Sequence, residues 1–93
     1  MDNAAIAAMF DEIAALLEAK KDNIFKIRAY RKAARSITAL REPVTKLAAE
    51  NRLAEIDGAG EAIQKKLAEL VDTGRLDYLE RLRAEQAEGG TRP

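Results

Sequence analysis

The amino-acid sequence predicts an all-α fold, a compact bundle of four to five short helices. Apolar residues recur at spacings of three and four along most of the chain, and no stretch alternates as a strand would. Only 2 prolines interrupt the 93 residues, and much of the 47% hydrophobic content is alanine, which favours helix. This length suits one small domain with a single core.

The composition excludes several classes of function. The chain has no cysteine and no histidine, which argues against disulfides, thiolate chemistry and a transition-metal site. No apolar run approaches the length of a membrane span, and no signal-peptide pattern opens the chain. We therefore expect no membrane partner and a cytoplasmic protein, associated with the nucleoid if bacterial.

The first three predicted helices follow from capping residues and apolar stripes. Asn3 suits a helix N-cap, and a stripe through positions 6, 10, 13 and 17 carries the first helix to about Lys20. The second helix spans roughly Ile24 to Leu40, with a buried side marked by Ile24, Ile27, Ala34 and Ile37. A short third helix begins at Pro43 and ends near residue 51.

The most informative stretch, residues 53–70, reads LAEIDGAGEAIQKKLAEL. Two apolar helix faces flank a tight turn that contains Gly58 and Gly60, and glycine allows the positive φ of a sharp reversal. The helix that starts near Glu61 directs free backbone N–H groups back into the turn, where they would bind an anion. Such a site reads no base, so it predicts nucleic-acid binding without sequence preference, whereas the alternative is a simple connection between packed helices.

The second helix carries the basic charge. The chain has 16 basic and 16 acidic residues, yet residues 23–41 hold six basic residues and no acid. Lys26 and Tyr30 are four apart and share a helix face, and Phe25 is adjacent. An ammonium, a phenol and a ring suit a DNA-end pocket. The alternative is that Tyr30 and Phe25 are partly buried core residues and Lys26 is an ordinary surface lysine.

The end of the chain predicts one more helix and a tail. Gly74 after Thr73 suits the C-terminus of the helix that follows the hairpin. A last short helix then carries Leu76, Leu79 and Leu82. Because residues 85–93 are polar and glycine-rich, we expect a domain over 1–84 and a flexible C-terminal tail over 85–93.

Three stretches resemble one known family. Residues 24–34 read IFKIRAYRKAA, residues 53–60 read LAEIDGAG, and residues 72–76 read DTGRL. In order and spacing they resemble the small helix-hairpin-helix domain that precedes the polymerase core in X-family DNA polymerases of the beta type. The resemblance implies binding to gapped or nicked DNA at the 5′-phosphate, as in base excision repair. No polymerase palm fits within 93 residues.

The resemblance also assigns residues. Lys66 matches the Schiff-base lysine of the family's 5′-deoxyribose-phosphate lyase, Lys26 and Tyr30 match its phosphate pocket, and Phe25 takes the place of a stacking side chain. A monovalent cation, K⁺ or Na⁺, would bind the hairpin carbonyls of Ala54, Ile56 and Ala59, with no other cofactor required. The predicted DNA-binding residues are Phe25, Lys26, Tyr30, Arg31, Gly58, Ala59, Gly60 and Lys65.

Three departures from the family pattern keep other functions open. Ala62 stands in place of a second phosphate-binding lysine, Asp57 in place of the hairpin proline, and Glu61 in place of a neutral residue. We therefore expect a monomeric DNA-binding module first. A lyase that uses Lys66 is the second hypothesis, and a helical protein-interaction domain without DNA binding is the third.

Overall fold

The all-α prediction is confirmed by the structure, a computed structural model that describes residues 1–90. Five α-helices follow one another: α1 (Asn3–Ala19), α2 (Ile24–Ala39), α3 (Val44–Ala49), α4 (Glu61–Thr73) and α5 (Asp77–Gly90). A 3₁₀ turn over Leu53–Glu55 precedes the hairpin, and no strand occurs within the described chain. None of these helices is long and apolar enough to cross a membrane.

The N-terminus of α1 differs from the prediction in its capping residue. Asp2 is the N-cap, and its carboxylate accepts a 2.8 Å hydrogen bond from the Ala5 N–H. Asn3 instead joins α1 to the start of α3. Its amide donates to the Glu42 carbonyl at 2.9 Å and accepts from the Val44 N–H at 2.9 Å. This clamp satisfies a backbone donor of α3, whose own N-cap, Pro43, offers no side-chain hydrogen bond.

The core lies between α1 and α2 and extends along α4 and α5. Phe10, Ile13 and Leu17 from α1 are fully buried, as are Ile37, Leu67 and Leu79 from the other helices. The predicted buried side of α2 holds except at its first residue, because Ile24 is 49% exposed. That residue lies in the first turn of α2, where periodicity places it on the apolar face but no neighbouring helix covers it.

Residues 85–90, where the sequence predicts a flexible tail, continue α5 in the structure. Alanine, glutamate and glutamine dominate residues 84–88 and favour helix, so glycine content alone does not end α5 at 84. The helix is also tied to α1, since the Lys20 ammonium lies 3.0 Å from the Glu85 carboxylate and Arg83 binds both oxygens of Glu12 at 2.6 and 2.7 Å. Residues 91–93 of the predicted tail lie outside the described residues.

Candidate nucleic-acid interface

The hairpin turn reverses at a single glycine. Gly58 has φ +82°, the left-handed region that favours glycine, and the Ala59 N–H closes the turn on the Ile56 carbonyl at 3.0 Å. Ile56 and Ala59 are both buried and anchor the turn to the core. Gly60, in contrast, has φ −71° and is the N-cap of α4. The two glycines therefore serve different purposes, backbone reversal at Gly58 and open space at Gly60.

Free amides lie at the start of α4. The Gly60 N–H is used within the turn, on the Gly58 carbonyl at 3.2 Å, and the Gln64 N–H makes the first helical bond to Gly60. The N–H groups of residues 61–63 consequently have no partner within the helix. A Cβ built on Gly60 meets nothing within 4 Å, so the approach to these amides is open. This end of α4 therefore offers unpaired N–H groups at a helix N-terminus, the kind of group that binds anions, and phosphate binding there stays a prediction.

Lys32 of α2 covers the other side of the turn. A Cβ built on Gly58 would lie 3.1 Å from the Lys32 side-chain carbons, so the lysine stem packs directly on the glycine. The Lys32 ammonium lies 3.9 Å from the Asp57 carboxylate, and both groups remain largely exposed. The acidic residue that replaces the family's proline is thus partly balanced by a basic residue of α2.

A cleft of about 480 Å³ opens beside the hairpin. It is bounded by α2, the hairpin turn, α4 and α5, and is lined by Lys26, Ala29, Tyr30, Gly58, Gly60, Glu61, Ala62, Ile63, Lys66 and Tyr78. The fold therefore brings Lys26, Tyr30 and Lys66 around one cavity together with both glycines. The sequence does not predict Tyr78 as a site residue. It shows only that Tyr78 lies beside the leucines of α5, and not that its ring reaches the cleft.

Tyr30 combines a buried ring with an accessible hydroxyl. The ring is only 7% exposed and stacks between Phe10 and Tyr78, with centroid distances of 5.8 and 6.1 Å. Burial, with a smaller contribution from Tyr78, raises the pKa of Tyr30 to about 12, so the phenol stays protonated and is a donor at neutral pH. The hydroxyl makes no hydrogen bond within residues 1–90. Every buried side-chain polar atom of the described residues has a partner, so the unpaired hydroxyl is not a buried atom. It is consequently open to the cleft.

Lys66 is held against aromatic rings. Its ammonium lies 4.8 Å from the Tyr78 centroid and 6.0 Å from that of Tyr30, within cation–π range. Burial lowers the pKa of Lys66, while Glu69 opposes the shift and the charges of Arg81 and Lys26 add to it. Within the described residues Lys66 has no salt-bridge partner. It is a partly buried amine that lines the cleft.

Three other predicted DNA-binding side chains lie apart from the cleft lining. Phe25 is 73% exposed, so it is neither a core residue nor part of the pocket wall. Arg31 points toward α1, where it pairs with Glu18 at 3.1 Å. Lys65 is exposed and lies 3.6 Å from Glu61. Lys26 lines the cleft, and its ammonium lies 3.9 Å from the Asp22 carboxylate.

The carbonyls predicted to bind a monovalent cation are already engaged in part. The Ile56 carbonyl accepts from the Ala59 N–H, and the Ala59 carbonyl accepts from the Gln64 side-chain amide at 2.8 Å. Of the three, only the Ala54 carbonyl accepts no hydrogen bond from the residues that the structure describes. The Gln64 NH₂ group places positive partial charge beside the Ala59 oxygen, and each carbonyl oxygen has a second lone pair, so the monovalent cation stays a prediction.

The fold and the hairpin define the class of protein. The helix-hairpin-helix domain family matches residues 1–76, and the chain belongs to this family. The chain is 33% identical over 84 residues to the N-terminal region of the DNA polymerase/3′-5′ exonuclease PolX of Bacillus subtilis (strain 168), an X-family polymerase. The similarity covers 90% of this chain and 14% of that protein. The resemblance to X-family polymerases is confirmed.

Proposed function

We propose that this chain binds DNA without regard to base sequence, with a preference for gaps, nicks and 5′-phosphate ends. The helix-hairpin-helix domain and the similarity to the N-terminal region of PolX support nucleic-acid binding in general. The single observation that carries the finer proposal is the cleft. There Lys26, the Tyr30 hydroxyl and Lys66 surround one cavity beside the free amides of α4.

The chemistry of the cleft suits a terminal phosphate. A phosphate monoester carries up to about one more negative charge than a diester and offers additional acceptor oxygens. Two ammonium groups, a protonated phenol and backbone N–H groups can all donate to it. Glu61 lines the same cleft and Ala62 adds no charge, so the preference is modest, about 1 kcal/mol or roughly fivefold in Kd.

The test compares two gapped duplexes that differ only in a 5′-phosphate or a 5′-hydroxyl at the gap. The wild-type chain should bind the phosphorylated duplex more tightly, and Lys26→Ala should remove this preference. Lys46→Ala is the matched control, because it removes the same charge from α3, where Lys46 pairs with Glu42. Equal affinity of the wild type for both duplexes would refute the pocket and leave only binding to the phosphate backbone.

The lowered pKa of Lys66 and its position in the cleft favour a second function, 5′-deoxyribose-phosphate lyase. The neutral amine would attack the C1′ aldehyde of the sugar, and loss of water gives a Schiff base. A proton then leaves C2′, the C3′–O bond breaks, and its electrons depart on the phosphate oxygen of the DNA strand. Water hydrolyses the imine and regenerates Lys66. The lowered pKa of Lys66 increases the neutral fraction that this chemistry needs.

Borohydride trapping on an incised abasic substrate tests the lyase. A trapped adduct should form with wild type and Lys65→Ala but not with Lys66→Ala, since Lys65 is exposed and absent from the cleft lining. An adduct of equal yield with Lys66→Ala would refute Lys66 as the nucleophile. The third hypothesis, a protein-interaction domain, predicts that neither gapped duplex binds at any salt concentration. Repeating the comparison of the two duplexes at low and high salt tests this.

A further inference from the structure

The first turn of α5 forms one wall of the cleft. Tyr78 lies in this turn, and its half-buried ring stacks on the ring of Tyr30 with the two centroids 6.1 Å apart. Leu76 and Leu79, close to it in sequence, are both fully buried and anchor this end of α5 in the core. The ring of Tyr78 therefore has a fixed place in the cleft, set by buried neighbours and by a stacked aromatic partner.

The same turn contacts α4 at two points. The Asp77 N–H donates to the Glu69 carboxylate at 2.9 Å, and the Tyr78 ring centroid lies 4.8 Å from the Lys66 ammonium. Lys66 and Glu69 are three residues apart on α4, so their side chains share one face of that helix. Two consecutive residues of α5 therefore engage both members of this pair.

Lys66 and Glu69 do not pair with each other, although a lysine and a glutamate at this spacing attract one another on a helix surface. The Glu69 carboxylate instead accepts from the first N–H of α5, one of the donors that a helix leaves without a partner of its own. Lys66 has no salt bridge among residues 1–90, and its ammonium lies against the two tyrosine rings. The start of α5 thus keeps the acid and the amine of α4 apart.

We propose that the first turn of α5 positions the Lys66 amine for reaction: the Tyr78 ring keeps it at the cleft, and the helix N-terminus keeps the Glu69 carboxylate away from it. Tyr78 and the Asp77 N–H are positioning groups, since they act on the substrate only through Lys66. The same contacts distinguish Lys66 from the adjacent Lys65, which is exposed. This inference rests on the proposed lyase function, because it assigns the groups that place the nucleophile of that reaction.

The charges around Lys66 agree with this arrangement. Burial lowers the pKa of Lys66, Glu69 raises it, and the cations Arg81 of α5 and Lys26 of α2 lower it. The other ionisable groups that line the cleft are Glu61, Tyr30 and Tyr78. Because the Glu69 carboxylate is bonded to α5, its effect on Lys66 is smaller than that of a direct ion pair. A ring face attracts the ammonium form, so the ring contact places the group, while burial and the two cations favour the neutral amine.

NMR of the lysine side chains tests the position of Lys66 in the absence of DNA. Protons that lie over the face of an aromatic ring are shifted upfield, so the Hε resonances of Lys66 should lie upfield of those of Lys65. Tyr78→Phe should keep this displacement because it keeps the ring, whereas Tyr78→Leu should lose most of it and still leave an apolar side chain in place. Thermal unfolding by circular dichroism checks that both variants fold. A displacement that is absent in the wild type, or unchanged in Tyr78→Leu, would overturn the proposal.

Borohydride trapping on the incised abasic substrate connects this position to the reaction. Tyr78→Leu should slow adduct formation by about fivefold or more, since a lysine that is free of the ring must be ordered again before it attacks. Tyr78→Phe should react at nearly the wild-type rate. An equal rate for wild type and Tyr78→Leu would overturn the role of Tyr78. If the wild type formed no adduct, the lyase function itself would fail, which is a separate result, because the resonances of Lys66 show independently whether Tyr78 holds it.

Asp77→Pro and Asp77→Ala form a matched pair that tests the contact to Glu69. Both remove the Asp77 side chain, but only proline also removes the N–H that bonds to Glu69. Proline suits the first position of a helix, which Asp77 occupies in α5. In Asp77→Pro the freed Glu69 carboxylate can pair with Lys66, so the midpoint of the Lys66 titration, followed by the same resonances, should lie at higher pH than in Asp77→Ala. Equal midpoints for the two variants would overturn the role of the α5 N-terminus.

Glu69→Gln tests the same contact from the other side and does not depend on how α5 tolerates proline. Glutamine keeps a side-chain oxygen that can accept from the Asp77 N–H, but it lacks the charge that raises the pKa of Lys66. The Lys66 midpoint should therefore move to lower pH. Asp72→Asn is the matched control, because it removes one charge from an exposed position of α4 that is not among the charges acting on Lys66. If Lys66 titrated at the same pH in both variants, Glu69 would not act on it and the proposal would fail.

Discussion

Gly60 offers a way to block the proposed phosphate site without disturbing the backbone of the hairpin. With φ −71° and ψ 179°, Gly60 has a backbone conformation that any residue adopts, and a Cβ at this position meets nothing within 4 Å. Gly60→Val should therefore fold normally. Its branched side chain would fill the space through which a phosphate reaches the amides of residues 61–63. The substitution separates the function of this glycine from any requirement of the fold.

The expected effect follows from the lost contacts. A hydrogen bond to a charged group contributes about 1.5–3 kcal/mol, so displacement of one phosphate contact weakens DNA binding roughly 10- to 100-fold. The free energy of unfolding should fall by about 1 kcal/mol, since valine is a poorer N-cap than glycine. Fluorescence anisotropy with labelled gapped DNA measures the first quantity and thermal unfolding by circular dichroism the second. Gly60→Ala should give an intermediate loss of affinity.

Gly58→Ala provides the contrasting variant. At φ +82° an alanine costs about 1–2 kcal/mol, and its Cβ would press on the Lys32 stem at 3.1 Å. This variant should lose stability, whereas Gly60→Val should lose affinity. If Gly60→Val bound DNA as tightly as the wild type, the amides of α4 would not contact phosphate, and the turn would be only a connection between helices.

Three further predictions test the cleft and its support. Tyr30→Phe should keep the melting temperature within a few degrees but reduce the preference for a 5′-phosphate. The Tyr30 hydroxyl, with a pKa of about 12, is protonated and can donate at neutral pH, and phenylalanine lacks this donor. If Lys66 is the nucleophile, the pH profile of borohydride trapping should level off below the 10.5 of an ordinary lysine, and Arg81→Gln should move it to higher pH by removing a nearby cation. Arg83→Met should slightly destabilise the chain at pH 7. Hydrogen bonds from Arg83 hold the pKa of Glu12 below its usual 4.5, so this stabilisation is present above 4.5, and the difference between variant and wild type should vanish as the pH falls through the lowered pKa.

The periodic parts of the fold were predictable from the sequence. Spacings of three and four identify the buried faces of α1, α2 and α4 because each helix packs on one side only. The errors lie at helix ends, where tertiary contacts decide. Ile24 continues the apolar pattern but has no covering neighbour, Asn3 is used by α3 instead of capping α1, and α5 passes residue 84 with support from the pair of Lys20 and Glu85.

The candidate site was predictable in part. Local spacing places Lys26 and Tyr30 on one face, but their convergence with Lys66 depends on how α4 packs on α2, and only the family resemblance indicated it. Phe25 precedes Lys26 directly, and neighbours on a helix point about 100° apart, so the two side chains face different surfaces. Tyr78 comes from α5 and enters the cleft through tertiary packing that no local pattern reveals.

The stacked rings of the cleft also allow ligand binding there to be followed by tyrosine fluorescence. The chain has no tryptophan and only 2 tyrosines, and both of them, Tyr30 and Tyr78, line the cleft. All tyrosine emission of the chain therefore originates at the one place where a terminal phosphate or a sugar aldehyde would enter. Lys66, 4.8 Å from one ring and 6.0 Å from the other, would report its own modification through the same signal. Occupancy of the cleft can thus be followed with unlabelled protein, while binding confined to the outer face of α2 should leave that emission largely unchanged.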